Sequence, residues 1–266
     1  MNIGIFDSGL GGLHIAKSII GRLPQYGYVY LGDTKRVPYG NRTDATIYQF
    51  TKECIDYLFA KGCVLIIVAC NTASARALRK LQRTYLVHHY PERRVLGMII
   101  PTVETVVEHR YQRIGIIATN NTVSSKKFIK EFEKAAPRVK VFQQATPLLV
   151  PLIEQGGKQW VPSVAAHYLK PLLKKRVDAL ILGCTHYSVI KYNIKKIVGK
   201  NVSVISQDDV VPKKLVDYLK RHPEIEKKIT RNRQRTFFVT ELTPYLKKTS
   251  KAWFGKKIQL KKVNVV

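Results

Sequence analysis

A chain of 266 residues, 45% hydrophobic and 24% charged, has material for one large or two medium domains, and its composition excludes a disordered protein. No apolar run approaches bilayer length, and the opening MNIGIFDSG lacks the features of a signal peptide, so no membrane partner and a cytoplasmic location are expected. The balance of 46 basic against 18 acidic residues, net +28, favours attraction to polyanions.

Half of that excess lies between Lys191 and Lys262, where 20 basic residues face 6 acidic ones. They are scattered among apolar residues, as on solvated helix faces, and no RRM, zinc-finger or Arg-rich-arm pattern accompanies them. The four cysteines, Cys54, Cys63, Cys70 and Cys184, form no CxxC pair. That spacing disfavours a disulfide framework and a metal site. Cys54 and Cys63 read as packing residues.

In chain order, Ile3 to Phe6 is a short apolar strand, and Asp7-Ser8-Gly9-Leu10-Gly11-Gly12 is a glycine-rich turn before a helix ending near Pro24. Backbone N–H groups at such a helix N-terminus suit an anion. Neither a dinucleotide loop nor a Walker A pattern is present, so a small carboxylate ligand is expected there. Tyr28 to Leu31 is a second strand, followed by the loop Gly32 to Gly40. Thr43 or Asp44 caps a helix that Gly62 ends. Cys63 to Ala69 then forms an apolar strand that stops at Cys70, Asn71 and Thr72. A thiol there stands outside the carboxyl end of a strand, where open α/β sheets bind ligands. Alone, Cys70 reads as one more buried small residue rather than as chemistry. A helix from about Thr72 to Leu86 and a strand from Val95 to Ile100, closed by Pro101, complete the first alternation.

The organisation then restarts. Ile114 to Thr119 echoes Ile3 to Ser8, and Asn120 to Thr122 supply the following turn. A helix spans Lys126 to Ala135 and a strand Val139 to Phe142. Pro147 to Glu154 is apolar, with Glu154 at a loop edge, and a further helix runs from Trp160 to Leu173. Asp178 to Tyr187 repeats the strand–cysteine design at Cys184. Ile3 to Cys70 is 67 residues and Ile114 to Cys184 is 70. The expected fold is therefore α/β: two pseudo-symmetric, Rossmann-like domains with mostly parallel sheets and the active site in the cleft between them. The first domain takes residues 1–98 and 208–266, the tail returning to it; the second takes residues 99–207.

Two thiols facing one small-molecule site allow racemisation without a cofactor. One thiolate removes a proton from carbon while the opposite thiol returns one to the other face. Free Cys titrates near 8.5, so each thiol needs tuning or a base. His186 can serve Cys184, and Asp7 can serve Cys70.

The segments DSGLGG (7–12), GDTKRVPYG (32–40), ACNTASA (69–75), Ile114–Ser125 and ILGCTHYS (181–188) resemble, in order and spacing, the motif series of bacterial glutamate racemases. The likeness covers essentially the whole chain. It implies a cofactor-independent enzyme, with Cys70 and Cys184 as the two proton donor/acceptors and Asp7, His186 and Glu154 as auxiliary acid/base residues. Asp7, Ser8, Tyr39, Gly40, Asn71, Thr72, Thr119, Thr122, Thr185 and His186 would hold the amino acid. It further implies a homodimer that supplies D-glutamate to peptidoglycan synthesis. Some members of the family are reported to act on DNA gyrase, which with the +28 charge raises a DNA or other polyanion contact. Ser188 stands where the family usually has Pro. Two alternatives stay open: an aspartate racemase of the same superfamily, and a basic nucleic-acid-binding protein on this scaffold.

Overall fold

The computed structural model describes residues 1–265; Val266, the end of the expected C-terminal return, lies outside the described residues. Ten strands build it: β1 (Asn2–Asp7), β2 (Tyr28–Gly32), β3 (Cys63–Val68), β4 (Arg94–Gly97), β5 (Arg113–Ala118), β6 (Lys140–Ala145), β7 (Ala179–Gly183), β8 (Ser203–Ser206), β9 (Arg235–Val239) and β10 (Leu260–Lys262). One sheet has the order β10-β9-β2-β1-β3-β4 and the other β6-β5-β7-β8. Every pairing is parallel. The order β2-β1-β3-β4 thus reappears as β6-β5-β7-β8, so the sequence repeat is a topological repeat. The tail adds β9 beside β2 and β10 beside β9, which extends the first sheet only.

The central strands are buried along their whole length in β2, β3 and β7. Runs of Ile, Val and Leu take that state when helices cover both faces of a parallel sheet. One apolar cluster joins the two sheets, running from Ile3, Ile5 and Leu65 to Leu180, Leu182 and Leu215. A second lies on the far face of the first sheet, where Phe6, Ile66 and Val68 meet Ile47, Ile55 and Leu58 of the helix Asp44–Ala60. A third lies on the far face of the second sheet, where Ile114, Ile116 and Ile181 meet Val103, Phe128 and Phe132. Thr43 caps the helix Asp44–Ala60 by accepting from Thr46 N at 3.2 Å, and Gly62, at φ +77°, leaves it in the left-handed region that glycine tolerates.

Two local expectations are corrected. The single helix after Cys70 is three short ones, Asn71–Arg76, Leu78–Thr84 and Leu86–His89. The strand expected through Ile100 stops at Gly97, and a helix Ile99–Glu108 follows with Pro101 in its first turn. Proline is tolerated there because that N–H has no intrahelical partner. A β-carbon at Gly97 would meet Leu78 Cδ2 at 2.6 Å and Ser74 Oγ at 3.0 Å, so a larger residue there would make those side chains shift. Among the described residues, no helix is long and apolar enough to cross a membrane.

Candidate active site

The carboxyl ends of β1 and β3 face those of β5 and β7 across a cleft of about 310 Å³. Open α/β sheets bind ligands outside those ends, and here two such sets of ends share one cleft. Ser8, Tyr39, Gly40, Cys70, Asn71, Thr72, Thr119, Glu154, Cys184, Thr185 and His186 all line it.

The two thiols have different surroundings. Cys70 Sγ lies 3.2 Å from Ser8 Oγ. Burial, with the nearby Asp7 charge adding to it, pushes the Cys70 thiol up to about 12, against the help of Ser8 and the Ala73 backbone N–H. Cys184 Sγ lies 3.7 Å from His186 Nδ1, and His186 Nε2 lies 2.8 Å from Glu154 Oε1. Burial works against charge on His186, but hydrogen bonds and charge from Cys184 and Glu154 outweigh it and hold the imidazole well above its ordinary range. Burial likewise opposes ionisation of Glu154, yet His186 brings its carboxyl below the ordinary value. The result is a thiol–imidazole–carboxylate chain, half-buried at Glu154, on one side and a thiol–hydroxyl pair on the other.

Asp7 lies beneath the cleft rather than on it. Its Oδ2 accepts from Gly9 N at 3.1 Å and Gly12 N at 3.0 Å, and Oδ1 accepts from the Thr185 hydroxyl at 3.4 Å. Burial raises its pKa, opposed by His186 and the two backbone donors. The glycine-rich turn, expected to receive a ligand's carboxylate, is therefore filled by the protein's own. A β-carbon at Gly11 would sit 2.4 Å from Thr185 Oγ1 and 2.7 Å from His186 Nδ1. Glycine at that position is what lets the first helix abut the Cys184 loop.

Thr72 and Thr119, one from each half, meet at 3.0 Å between hydroxyl oxygens. Thr119 also caps the helix Asn120–Ser124, accepting from Thr122 N at 3.3 Å. Thr122 is fully buried behind Thr119, 3.1 Å away, and does not line the cleft. The Tyr39 side chain packs in the core beside Phe50, and its hydroxyl donates to Asp33 Oδ2 at 2.6 Å. Tyr39 therefore offers the cleft its backbone. Asn121 Nδ2 reaches across from the second half to Tyr39 O at 3.1 Å and Arg42 O at 2.9 Å, holding this loop against the cleft. Ser188 donates to Asp208 Oδ1 at 3.0 Å, a bond that proline cannot make.

The cleft also includes Val37, Pro38, Asn41, Asn120, Thr146, Pro147, Val150, Pro151 and Gln155, none of which was singled out as a site residue from the sequence. For Thr146 a signal existed: it follows β6 directly, at the same kind of strand end as Ser8, Cys70, Thr119 and Cys184.

The sequence model of the Asp/Glu/Hydantoin racemase family matches residues 14–210. The chain belongs to this family. A glutamate racemase of Aquifex pyrophilus is 39% identical over 264 residues, which cover 98% of this chain and 97% of that protein. Among solved structures, a glutamate racemase isoform of Bacillus anthracis superposes with a TM-score of 0.90 at 30% identity, covering 99% of this chain and 97% of that one. A glutamate racemase of Francisella tularensis, solved in complex with D-glutamate, gives 0.88 at 32% identity, covering 99% and 97%. The two-sheet α/β architecture is the fold of these family structures.

Proposed function

We propose that this family member is a glutamate racemase that interconverts L- and D-glutamate by proton transfer at Cα between two thiols. The observation that carries the reading is the placement of Cys70 and Cys184 at the ends of topologically equivalent strands, β3 and β7, on one cleft. Racemisation requires removal of a proton from one face of Cα and delivery to the other. A thiol on each side supplies both operations, and the roles exchange with the hand of the substrate.

In one direction the Cys184 thiolate, stabilised by the His186 imidazolium that Glu154 keeps charged, takes the α-proton. The electron pair left on Cα spreads into the α-carboxylate, and the Cys70 thiol, kept protonated by burial, delivers its proton to the opposite face. The Cys70 thiolate so formed is stabilised by the Ser8 hydroxyl and the Ala73 backbone N–H. In the other direction the proton moves from Cα to Cys70, and Cys184 donates. The hydroxyls of Thr72 and Thr119, the Asn71 amide and the backbone N–H groups of Ser8 and Thr185 hold the dicarboxylate. Such donors satisfy carboxylate oxygens in a buried site without burying a full counter-charge. Asp7 supports this set from below by orienting the Gly9–Gly12 turn and Thr185.

The test is turnover in D₂O with single enantiomers of glutamate and of aspartate. Glutamate inverts with deuterium at Cα and with the larger kcat/KM of the two acids. Retention of α-protium in the inverted product would sink the mechanism, and faster turnover of aspartate would move the chain to the other substrate.

A further inference from the structure

The chain passes between its two sheets twice, through the helix Ile99–Glu108 after β4 and through the helix Gln207–Arg221 after β8. Gln207, from the second crossover, bonds both a side chain of the cleft, Asn71, and a side chain of the first crossover, Thr102. Asn71 Nδ2 donates to Gln207 Oε1 at 2.6 Å, and Gln207 Nε2 donates back to Asn71 Oδ1 at 2.9 Å. Gln207 Nε2 also donates to Thr102 Oγ1 at 3.3 Å, and the Thr102 hydroxyl donates to Met98 O at 2.7 Å. Asn71, Thr102 and Gln207 are all buried. With its proton spent on Met98, the Thr102 hydroxyl can only accept from Gln207, which fixes the Gln207 amide with nitrogen toward Thr102 and leaves its oxygen for Asn71. Asn71 retains one N–H, in a residue that lines the cleft directly after Cys70.

We infer that Gln207 is a positioning residue that orients the Asn71 amide beside Cys70 and ties both crossovers to it. The inference rests on the reading of the cleft as a racemase site. Each connection between the thiol-bearing halves is thereby anchored where one half contacts the substrate. The partners of this amide pair are buried, so water cannot replace a bond that is lost there. Gln207 itself does not line the cleft, so it acts through Asn71.

The test uses the full chain in four forms: wild type, Gln207→Met, Asn71→Ala and the double variant. Met keeps the shape of Gln and removes its donors and acceptor. Gln207→Met is expected to lose about tenfold or more in kcat/KM for glutamate, with KM rising more than kcat falls. The double variant should be no slower than Asn71→Ala alone, since both changes break one contact. Thr102→Val, which leaves the Asn71–Gln207 pair in place, should cost about two- to threefold and serves as the variant to read if Gln207→Met does not fold. A readout free of turnover is solvent exchange of the Asn71 side-chain NH₂ by NMR, slow in wild type, about tenfold faster or more in Gln207→Met and about two- to threefold faster in Thr102→Val. Losses that add in the double variant, or an Asn71 amide unmoved in the Gln207 or Thr102 variants, overturn the inference. A wild-type chain that fails to racemise glutamate refutes the proposed function instead, and leaves the amide exchange to decide the role of Gln207.

Discussion

Replacing Glu154 by Gln isolates the part that its charge plays. Gln keeps the shape and a hydrogen-bond acceptor 2.8 Å from His186 Nε2 but removes the negative charge. A hydrogen bond to a charged group contributes about 1.5–3 kcal/mol against about 1 for a neutral one. The difference of roughly 0.5–2 kcal/mol corresponds to about 0.4–1.5 pH units on His186. His186 is held above its ordinary range, so its proton is lost on the alkaline side. In Glu154→Gln the alkaline limb of the pH–kcat profile should therefore move to lower pH by that amount, and kcat at neutral pH should fall about 2- to 30-fold.

Stability follows the same pair. The raised His186 contributes fully below its ordinary 6.5 and loses its contribution as pH rises through the folded value. The lowered Glu154 contributes above its ordinary 4.5 and loses its contribution as pH falls through the folded value. The Tm gap between wild type and variant should be widest between those two ordinary values and close on both sides. Circular dichroism of single-enantiomer turnover across pH, with thermal melts, measures both. An unchanged alkaline limb together with full kcat would refute the thiol–imidazole–carboxylate chain.

Cys70→Ala and Cys184→Ala should each reduce racemisation by about 10²–10⁴-fold. The surviving thiol should still exchange the α-proton of one enantiomer for deuterium without inverting it, which NMR of the recovered glutamate detects. Tyr39→Phe removes a hydroxyl bonded to the buried Asp33 carboxylate, so melts should show a loss of about 1.5–3 kcal/mol with KM within about twofold of wild type. A large rise in KM would put that hydroxyl on the substrate. Gly11→Ala forces a β-carbon onto Thr185 and His186; it should cost about 1–3 kcal/mol of stability, and kcat should drop because the thiol–imidazole contact shifts.

Much of the fold was legible because its signals are local. Unbroken runs such as Val64 to Ala69 and Ile114 to Ala118 read as strands buried on both faces, and their recurrence with cysteines at the ends read as two halves. The turn at Gly97 was not legible, since it depends on Leu78 lying against it. Pro101, a stop signal for the strand, lies in the first turn of a helix. The strand-end thiols Cys70 and Cys184 could be placed at the cleft from the repeated pattern, whereas Ser8 and Thr119 came only with the family resemblance. The inward turn of Tyr39 and the retreat of Thr122 behind Thr119 could not be read from either, because each is decided by a partner distant in sequence or by packing depth. Asp33, which holds Tyr39 away from the cleft, carries no local mark of that task.

The extra strands β9 and β10 make the two halves unequal scaffolds, and the partners of Cys70 and Cys184 differ as well. Mirror-image amino acids have the same free energy in water, so an enzyme that interconverts them has an equilibrium constant of unity and must show equal kcat/KM from either hand. Unequal thiols therefore cannot favour one enantiomer by that measure. Their difference is confined to kcat and KM, which must change together from one hand to the other. Saturation curves begun from pure L- and pure D-glutamate would coincide at low substrate and part at high substrate, and the size of that parting is the kinetic image of the asymmetry in the sheets.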